Sequence, residues 1–293
     1  MRRGHLTHCL FSPLIIYESV TSSPTRIANI KNFTLFDQDL ANGVLPQWIF
    51  ITPNMSKFFC ICTLLYRCLS TIHAANDGHD SSITVAGEFA NSFLTPLLAN
   101  SNFNSAKTLV FLSMFFLLLP RFHSMTNLQL TKSNSLAFDE TSSSTSQNRV
   151  VGILLGSAVP SDLVGTSDTA FYDHYSQLAT VEANWDLPTL GRYDVGANVF
   201  SFVAQQTADT VRALTSPSLS QTLLDASYPG IFNSEKTAPL PIPNTTLVVN
   251  GRSVLPAIVE TWGSAALQAC TTYNGSLGVP SAKNPPVLPK GCN

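Results

Sequence analysis

Short apolar runs alternate along the chain with stretches in which apolar residues recur at helical spacing. Four of the runs have the length and composition of strands that are buried on both faces. They are PLIIY at 13–17, QWIFIT at 47–52, TLVFL at 108–112 and VVGILL at 150–155. Strands that alternate with helices predict an α/β fold, with a mainly parallel sheet and helices on both of its faces.

Four other stretches have the periodicity of helices. They lie at 23–42, 85–98, 173–185 and 203–214. In the third, His174, Leu178, Val181 and Trp185 are predicted to lie along one stripe of the helix. Ligands of such folds usually gather beyond the carboxyl ends of the strands, so we expect the site there.

The composition changes near residue 215. Pro, Ser, Thr and Asn dominate from there on, with one apolar segment, SVLPAIVETW at 253–262. We therefore predict an α/β domain over 13–214 and a loop-rich tail over 215–293 that wraps on it.

Two classes of partner receive no support. The formal net charge of −2 provides no basic field for a nucleic-acid backbone. The segments at 56–75 and 113–137 suggest a buried helix or a membrane element, but charged residues or proline interrupt both before about 18 apolar residues accumulate. We therefore predict neither nucleic-acid binding nor a membrane span.

Cysteines and glycosylation triplets favour an oxidising, secretory compartment. A bridge between Cys270 and Cys292 would close a loop of about 20 residues and stabilise the tail by about 3 kcal/mol. Acceptor triplets for N-glycosylation begin at Asn32, Asn54, Asn244 and Asn274. The opening MRRGHLTHCLFSPLII imitates a signal peptide, but His8 and Ser12 break its apolar stretch, so we do not assign it as one.

Two short acidic motifs carry the candidate chemistry. NDGHDSS contains Asp77, His79 and Asp80, and FDE contains Asp139 and Glu140. Adjacent carboxylates at a strand end commonly hold a divalent cation, and a nearby histidine can act as acid, base or ligand. The motifs alone are equally compatible with an Asp-Gly turn that carries a solvated histidine and with a helix amino-terminal cap.

The sequence around these motifs identifies a protein family more specifically than the motifs do. ITPNM, NDGHDSSITVAGEF, TLVFL, FDET, NRVVGILLGSAVP and LVGTSDTAFYDHYSQLATVEANWDLPTLGRYDVGANVF together resemble the fungal phosphate-repressible acid phosphatases. These belong to a phosphoesterase family that also includes bacterial phospholipases C. The resemblance extends from PLIIYESV to PLPIPNTTLVVNGRSVLPAIVETWG, apart from the segments at 56–75 and 113–137.

The resemblance implies a three-layer α/β/α, alkaline-phosphatase-like fold that is incomplete at the amino end. It also implies metal-assisted hydrolysis of a small phosphate ester through a phosphorylated enzyme, in a secreted or cell-wall protein. Asp139 and Glu140 match the family's downstream acidic metal pair, which would hold a divalent metal ion of unknown identity. His79 matches the active-site histidine, and Asp77 and Asp80 are expected to shape its loop or orient it.

The amino end departs from the family's pattern. In the family, a Glu-Asn metal pair and a hydroxyl nucleophile precede the text that matches PLIIYESV. Here 12 residues precede that text, and nothing around Ser12 resembles a nucleophile site. We therefore expect negligible phosphatase activity from this chain.

The segments at 56–75 and 113–137 separate strands from the motifs that directly follow them in the family. Residues 56–58 and 113–115 can be encoded by strings that contain GTAAGT and GTATGT, which resemble fungal intron starts. We hypothesise that both segments are translated introns. Transcripts that keep both segments would refute the hypothesis.

His174 and Arg192 are candidate substrate-binding residues. His174 begins a predicted helix, where it either caps the helix or faces the substrate. Arg192, in GRYDVGANVF, either holds a phosphate through two hydrogen bonds or forms a structural ion pair with Asp194 or Glu182. The capping role and the ion pair are the favoured interpretations.

Three functions stay open. The first is an acid phosphatase, the second a phospholipase C-like phosphodiesterase that applies the same chemistry to a diester, and the third a non-catalytic secreted paralogue. Assays on monoester and diester substrates separate the first two. An upstream exon that encodes a Glu-Asn pair and a nucleophile would separate them from the third.

Overall fold

A computed structural model describes residues 17–51, 82–104, 108–113, 136–137, 152–213, 241–270 and 272–275 of the 293-residue chain. The chain divides into two compact units. The first comprises Met1–Ser142 and Val150–Gly165, and the second comprises Ser143–Arg149 and Thr166–Asn293.

Helices and a small mixed sheet form the described part of the first unit. Its helices are α1 (Glu18–Thr21), α2 (Pro24–Ile27), α3 (Phe36–Ala41) and α4 (Ile83–Ala99), and its strands are β1 (Val110–Ser113), β2 (Leu136–Ala137) and β3 (Ile153–Leu155). Strand β1 is central, parallel to β2 and antiparallel to β3. In this register Leu112 pairs with Leu136 on one side and with Ile153 on the other.

The strands predicted at 108–112 and 150–155 are confirmed as β1 and β3, and the helix predicted at 85–98 is confirmed as α4. Helix α4 begins where the Ser82 hydroxyl accepts a hydrogen bond from the Val85 amide. The helix predicted at 23–42 breaks into α2, α3 and a 3₁₀ turn at Phe33–Leu35, because the Asn32 side chain binds the Thr34 amide and forms a turn.

The strand predicted at 47–52 is wrong over 47–51, its described part, which has no ladder partner. Ile49 and Ile51 instead reach the apolar core from an irregular segment. That core consists of Phe36, Leu40, Leu94, Leu97 and Leu155. Burial of these side chains, and not strand pairing, therefore explains the apolar run.

The second unit contains α5 (Tyr175–Asn184), α6 (Tyr193–Gly196), α7 (Ser201–Thr207), β4 (Val248–Val249), β5 (Arg252–Ser253), α8 (Pro256–Trp262) and α9 (Ala265–Gln268) among its described residues. Strands β4 and β5 form an antiparallel hairpin. The helix predicted at 173–185 is confirmed as α5. The helix predicted at 203–214 ends at Thr207, because Ala208 adopts a left-handed conformation with φ of 59°.

The stripe predicted on α5 is not the buried face of the helix. His174 and Trp185 are exposed, whereas the buried face consists of Ser176, Ala179, Thr180, Glu182 and Ala183. This face packs against α6 and α7, where the Thr180 hydroxyl accepts a hydrogen bond from the Phe200 amide at 3.0 Å and donates one to the Ser176 carbonyl at 2.6 Å. Small and polar side chains fit this close approach to backbone, so the larger apolar residues lie elsewhere.

The mixture of helices and small sheets makes this an α/β fold. Within the described ranges, no helix is long and apolar enough to cross a membrane. The predicted change from domain to tail near residue 215 falls within 214–240, outside the described residues, and stays a prediction.

Candidate functional site

The amino-terminal end of α5 carries His174. It occupies the N-cap position, but its side chain makes no capping hydrogen bond. Asp173 caps the helix instead, because its Oδ1 accepts hydrogen bonds from the amides of Tyr175 at 2.9 Å and Ser176 at 3.2 Å. His174 is therefore an exposed residue beside the cap, and the capping role favoured from the sequence belongs to its neighbour.

Burial raises the pKa of Asp173, although the hydrogen bonds from Tyr175 and Ser176 and the charge of His174 partly oppose this rise. In return the Ser176 hydroxyl accepts a hydrogen bond from the Asp173 amide at 3.2 Å. The cap is thus reciprocal, and it fixes the start of α5 next to His174.

A series of contacts between aromatic rings connects this end of α5 to α6. The rings of Tyr175 and Tyr193 lie 5.0 Å apart, and those of Tyr193 and Tyr273 lie 5.1 Å apart. The Arg192 guanidinium lies 5.7 Å from the centre of the Tyr193 ring. Burial raises the pKa of both Tyr175 and Tyr193, and the positive charge of Arg192 partly counteracts it. The structure thus brings Arg192 to the end of α5 where His174 lies.

The predicted ion pair of Arg192 is wrong. Ion pairs among the described residues join Lys31 to Asp39 and Arg252 to Asp209. The Asp194 carboxylate instead accepts hydrogen bonds from two backbone amides, that of Leu190 at 2.7 Å and that of Arg192 at 3.0 Å. The Arg192 Nε is buried without a hydrogen-bond partner.

A second network, around Asp168, was not predicted from the sequence. Its Oδ2 accepts hydrogen bonds from the Tyr172 hydroxyl at 2.6 Å and from the Ser201 hydroxyl. Burial alone would raise the pKa of Asp168, but the hydrogen bonds from Ser201, Tyr172 and the Ala170 amide outweigh it and hold the pKa below its ordinary value. The Ala170 contact is an Asx turn, the one local signal that sequence analysis had available.

A buried ion pair joins two distant segments of the second unit. Arg252 donates to the two carboxylate oxygens of Asp209 at 2.6 Å and 3.2 Å, and the two side chains are 5% and 4% exposed. Thr207 and Asn250 also donate to this carboxylate. Burial alone would raise the pKa of Asp209, but these hydrogen bonds and the charge of Arg252 keep it low.

Glu182 lies on the buried face of α5 and is 4% exposed. Its Oε1 has no hydrogen-bond partner. Burial raises the pKa of Glu182 to about 8; the negative charge of Asp194 adds to the rise and the positive charge of Arg252 opposes it. The carboxyl group is therefore uncharged at acidic pH.

The principal candidates from the two acidic motifs lie outside the described residues. These are Asp77, His79, Asp80, Asp139 and Glu140. Within the ranges that the structure describes, no group of three or more His, Cys, Asp or Glu side chains could hold a metal ion. The metal pair and the catalytic histidine thus stay predictions.

Cys270 is buried and disulfide-bonded. Its predicted partner Cys292 lies outside the described residues, so this pairing stays a prediction.

Of the four predicted acceptor asparagines, Asn54 lies outside the described residues, and the other three differ in accessibility. Asn32 and Asn274 are exposed, whereas Asn244 is partly buried. The Nδ2 of Asn244 donates to the Tyr273 carbonyl at 3.1 Å, and its Oδ1 accepts the Thr246 hydroxyl at 2.7 Å. The Asn244 amide nitrogen is therefore already part of the fold.

Comparison with known proteins gives matches in sequence. The sequence model of a protein family described as "Phosphoesterase family" matches residues 13–188 of this chain. The chain is 41% identical over 253 residues to a probable acid phosphatase of Kluyveromyces lactis, covering 86% of this chain and 48% of the relative. It is 35% identical over 274 residues to an acid phosphatase of Aspergillus fumigatus, covering 92% of this chain and 50% of the relative.

A phosphate-repressible acid phosphatase of Penicillium chrysogenum is 36% identical over 224 residues, which cover 76% of this chain and 43% of the relative. The chain thus spans about half the length of the curated relatives it matches. No solved structure matches it.

Proposed function

The chain belongs to the phosphoesterase family, and from this premise we propose that its function is that of an acid phosphatase, a hydrolase of phosphate monoesters. The observation that carries the proposal is the similarity to acid phosphatases at 35% to 41% identity across most of the chain. For the fold, we propose the three-layer, mainly parallel α/β/α architecture that the family resemblance implies. In the described sheet β1 pairs with β2 in parallel and with β3 in antiparallel orientation, so the proposal of a mainly parallel sheet depends on the family resemblance.

Asp139 and Glu140 are proposed to hold a divalent metal ion, on the basis of the family's motif. Such an ion, when bound, polarises a phosphoryl oxygen and stabilises the charge that develops on it. His79 is proposed to donate a proton to the leaving oxygen, and Asp77 and Asp80 to orient its ring.

His174 and Arg192 are proposed to bind the phosphate group of the substrate. The exposure of His174 and its place beside the Asp173 cap support this role, because a capped helix end holds the residue in a fixed position. The position of Arg192 near the same end of α5, without an ion pair to Asp194 or Glu182, supports a guanidinium that contacts phosphate.

We also propose a secreted or cell-wall location, with a Cys270–Cys292 bridge and glycans on Asn32 and Asn274. The disulfide at Cys270 supports an oxidising compartment. For Asn244, the bond to the Tyr273 carbonyl argues against a glycan, because modification of Nδ2 would disturb that contact.

The decisive experiment is an assay of the longest polypeptide that the gene's transcripts encode, with p-nitrophenyl phosphate and bis-p-nitrophenyl phosphate at acidic pH. We expect monoester turnover to exceed diester turnover, to fall on metal chelation and to recover when a divalent metal is restored. A His79→Ala change should lower kcat/KM by about 10²–10⁴-fold. Faster turnover of the diester would favour the phospholipase C-like alternative and contradict the proposal.

Arg192→Ala should raise KM more than it lowers kcat, with Arg26→Ala as a matched control. Arg26 is an exposed arginine whose guanidinium donates to the Ser19 carbonyl in the first unit. Equal effects of the two substitutions would exclude Arg192 from substrate binding. The expectation that this chain alone has negligible activity stays a prediction, which the same assay tests.

A further inference from the structure

The exposed ring of Tyr175 borders the residues to which phosphate binding is assigned. Tyr175 follows His174 at the start of α5, and it is 44% exposed. The positive charge of Arg192 acts on the Tyr175 hydroxyl and partly counteracts the rise of its pKa. His174 and Arg192 account for the phosphate group of a substrate but not for its organic part. Tyr175 is therefore placed to contact that organic part.

Two other tyrosines support this ring on the protein side. The Tyr193 ring lies 5.0 Å from that of Tyr175, and the Tyr273 ring lies 5.1 Å from that of Tyr193. Tyr273 is 4% exposed and Tyr193 is partly buried. The cluster holds the Tyr175 ring before any ligand arrives, so a contact with it costs little further conformational entropy. Tyr175 thus provides a preorganised aromatic surface.

The carboxylates near Tyr175 are already engaged by backbone amides. Those whose charge acts on its hydroxyl belong to Asp173 and Asp194. Asp173 caps α5, and Asp194 accepts hydrogen bonds from two backbone amides. A sugar that packs on an aromatic ring also needs hydrogen-bond partners for its hydroxyl groups, whereas an aryl group needs only the ring. The surroundings of Tyr175 therefore favour an aryl group over a sugar.

We propose that Tyr175 determines substrate specificity, by contact of its ring with the aromatic group of an aryl phosphate monoester. The inference rests on the proposed function, because His174 and Arg192 bind the phosphate of the same ester. One oxygen joins the aryl ring to the phosphorus, so the aryl ring lies beside the bound phosphate, as Tyr175 lies beside His174. Aromatic rings contact each other in offset-stacked or edge-to-face geometry, with centres about 4.5–7 Å apart.

Tyr175 remains uncharged at the pH where an acid phosphatase acts. Burial raises the pKa of its hydroxyl; the charge of Arg192 opposes this rise, and the charges of Asp173 and Asp194 add to it. The ring therefore carries no negative charge that would repel the phosphate group of the ester.

The test measures the binding of phosphonates to the full chain at acidic pH by isothermal titration calorimetry. Phosphonates keep the charged head group but have no ester bond, so binding is measured whether or not the chain is active. Methylphosphonate reports the head group alone, whereas phenyl-, cyclohexyl- and 2-hydroxyethylphosphonate add an aryl, a saturated and a hydroxylated group. We expect phenylphosphonate to bind about three- to tenfold more tightly than each of the other three.

Tyr175→Leu keeps an apolar side chain but removes the ring, so it should reduce this preference to less than about twofold. Tyr175→Phe retains the ring and should retain the preference. Trp185→Leu is the matched control, because Trp185 is an exposed aromatic residue about 15 Å along α5 from Tyr175. Circular dichroism checks that the variants fold, and the comparison of phenylphosphonate with cyclohexylphosphonate in the unmodified chain needs no variant.

Arg192→Ala separates this inference from the proposed function, because it should weaken the binding of all four phosphonates. A chain that binds none of them would contradict both the phosphate-binding role and the role of Tyr175. Three results would overturn the role of Tyr175 alone. They are head-group binding without a preference for phenylphosphonate over cyclohexylphosphonate, tighter binding of 2-hydroxyethylphosphonate than of phenylphosphonate, and a preference that Tyr175→Leu reduces no more than Trp185→Leu does.

Discussion

Among the described residues, buried side chains of the first unit are apolar, whereas every buried polar or charged side chain belongs to the second unit. The apolar cluster of the first unit contains Phe36, Leu40, Leu94, Leu97 and Leu155. The buried polar residues of the second are Ser176, Thr180, Glu182, Thr189, Asp194, Asn198 and Arg252. The first unit thus depends mainly on the removal of apolar surface from water, and the second depends also on specific hydrogen bonds.

Asn198 illustrates what such hydrogen bonds require. It is 1% exposed, and its amide group donates to the carbonyls of Phe171 at 2.9 Å and Arg212 at 2.8 Å while its Oδ1 accepts the Arg212 amide. Each capacity of the side chain is matched to a backbone group. A core of this kind tolerates few substitutions, because each change leaves a buried partner unpaired.

The tryptophans allow the two units to be followed separately. Trp48 lies in the first unit, and Trp185 and Trp262 lie in the second. In a Trp48→Phe chain, fluorescence reports unfolding of the second unit. In a Trp185→Phe, Trp262→Phe chain, it reports unfolding of the first.

Loss of the buried ion pair should have the largest effect on stability. Arg252→Met removes the partner of the buried Asp209 carboxylate, and we expect the free energy of unfolding of the second unit to fall by about 3–5 kcal/mol. Urea unfolding of the Trp48→Phe chain, with and without Arg252→Met, measures this loss of stability.

The first unit contains the control for this prediction. The Lys31–Asp39 pair has the same 2.6 Å separation, but its side chains are 47% and 18% exposed. Solvent screening should therefore limit the loss from Lys31→Met to less than about 1 kcal/mol. Equal losses in the two units would mean that burial does not decide the value of an ion pair in this protein.

A cavity in the apolar core should have the next largest effect. Leu94 is 5% exposed and packs in the cluster of the first unit, so Leu94→Ala should destabilise that unit by about 2–5 kcal/mol. The matched control is Leu35→Ala, since Leu35 is 42% exposed. A loss at Leu35 as large as that at Leu94 would indicate that the cluster is not the unit's main source of stability.

Apolar periodicity predicted α4, α5, β1 and β3, because these elements bury side chains at regular spacing. It failed at 47–51, where an apolar run packs without pairing as a strand, and on the buried face of α5, where Thr180 approaches backbone. In these places the contact that decides the structure comes from another part of the chain.

Sequence patterns could not predict the polar core of the second unit, because its contacts also join distant parts of the chain. Asp209 and Arg252 are 43 residues apart, and neither is flanked by a motif that identifies its partner. The sequence suggested Asp194 as an ion-pair partner of Arg192, but the Asp194 carboxylate accepts hydrogen bonds from two backbone amides. Sequence reasoning named His174 and Arg192 as candidates, and only the fold shows that both lie at one end of α5.

The pH dependence of stability should distinguish the two units by a graded effect. In the folded chain the pKa of Glu182 is raised to about 8, from an ordinary value of 4.5. The unfolded chain therefore releases this proton at lower pH than the folded chain does. The contribution of Glu182 is fully favourable below its ordinary pKa and is lost as pH rises through its folded pKa, at up to about 1.4 kcal/mol per pH unit.

Glu182→Gln removes the ionisation and retains the shape of the side chain, so it should flatten this decline in the Trp48→Phe chain between mildly acidic and mildly alkaline pH. Glu260→Gln, at an exposed position of α8, should leave the slope unchanged. Stability measured by urea unfolding across this range provides the comparison. If the slope persists in Glu182→Gln, the alkaline loss comes from another group, and the second unit's dependence on a buried, uncharged carboxyl group is disproved. If the slope disappears, the same buried polar core that specifies the second unit also makes it most stable at the acidic pH where an acid phosphatase would act.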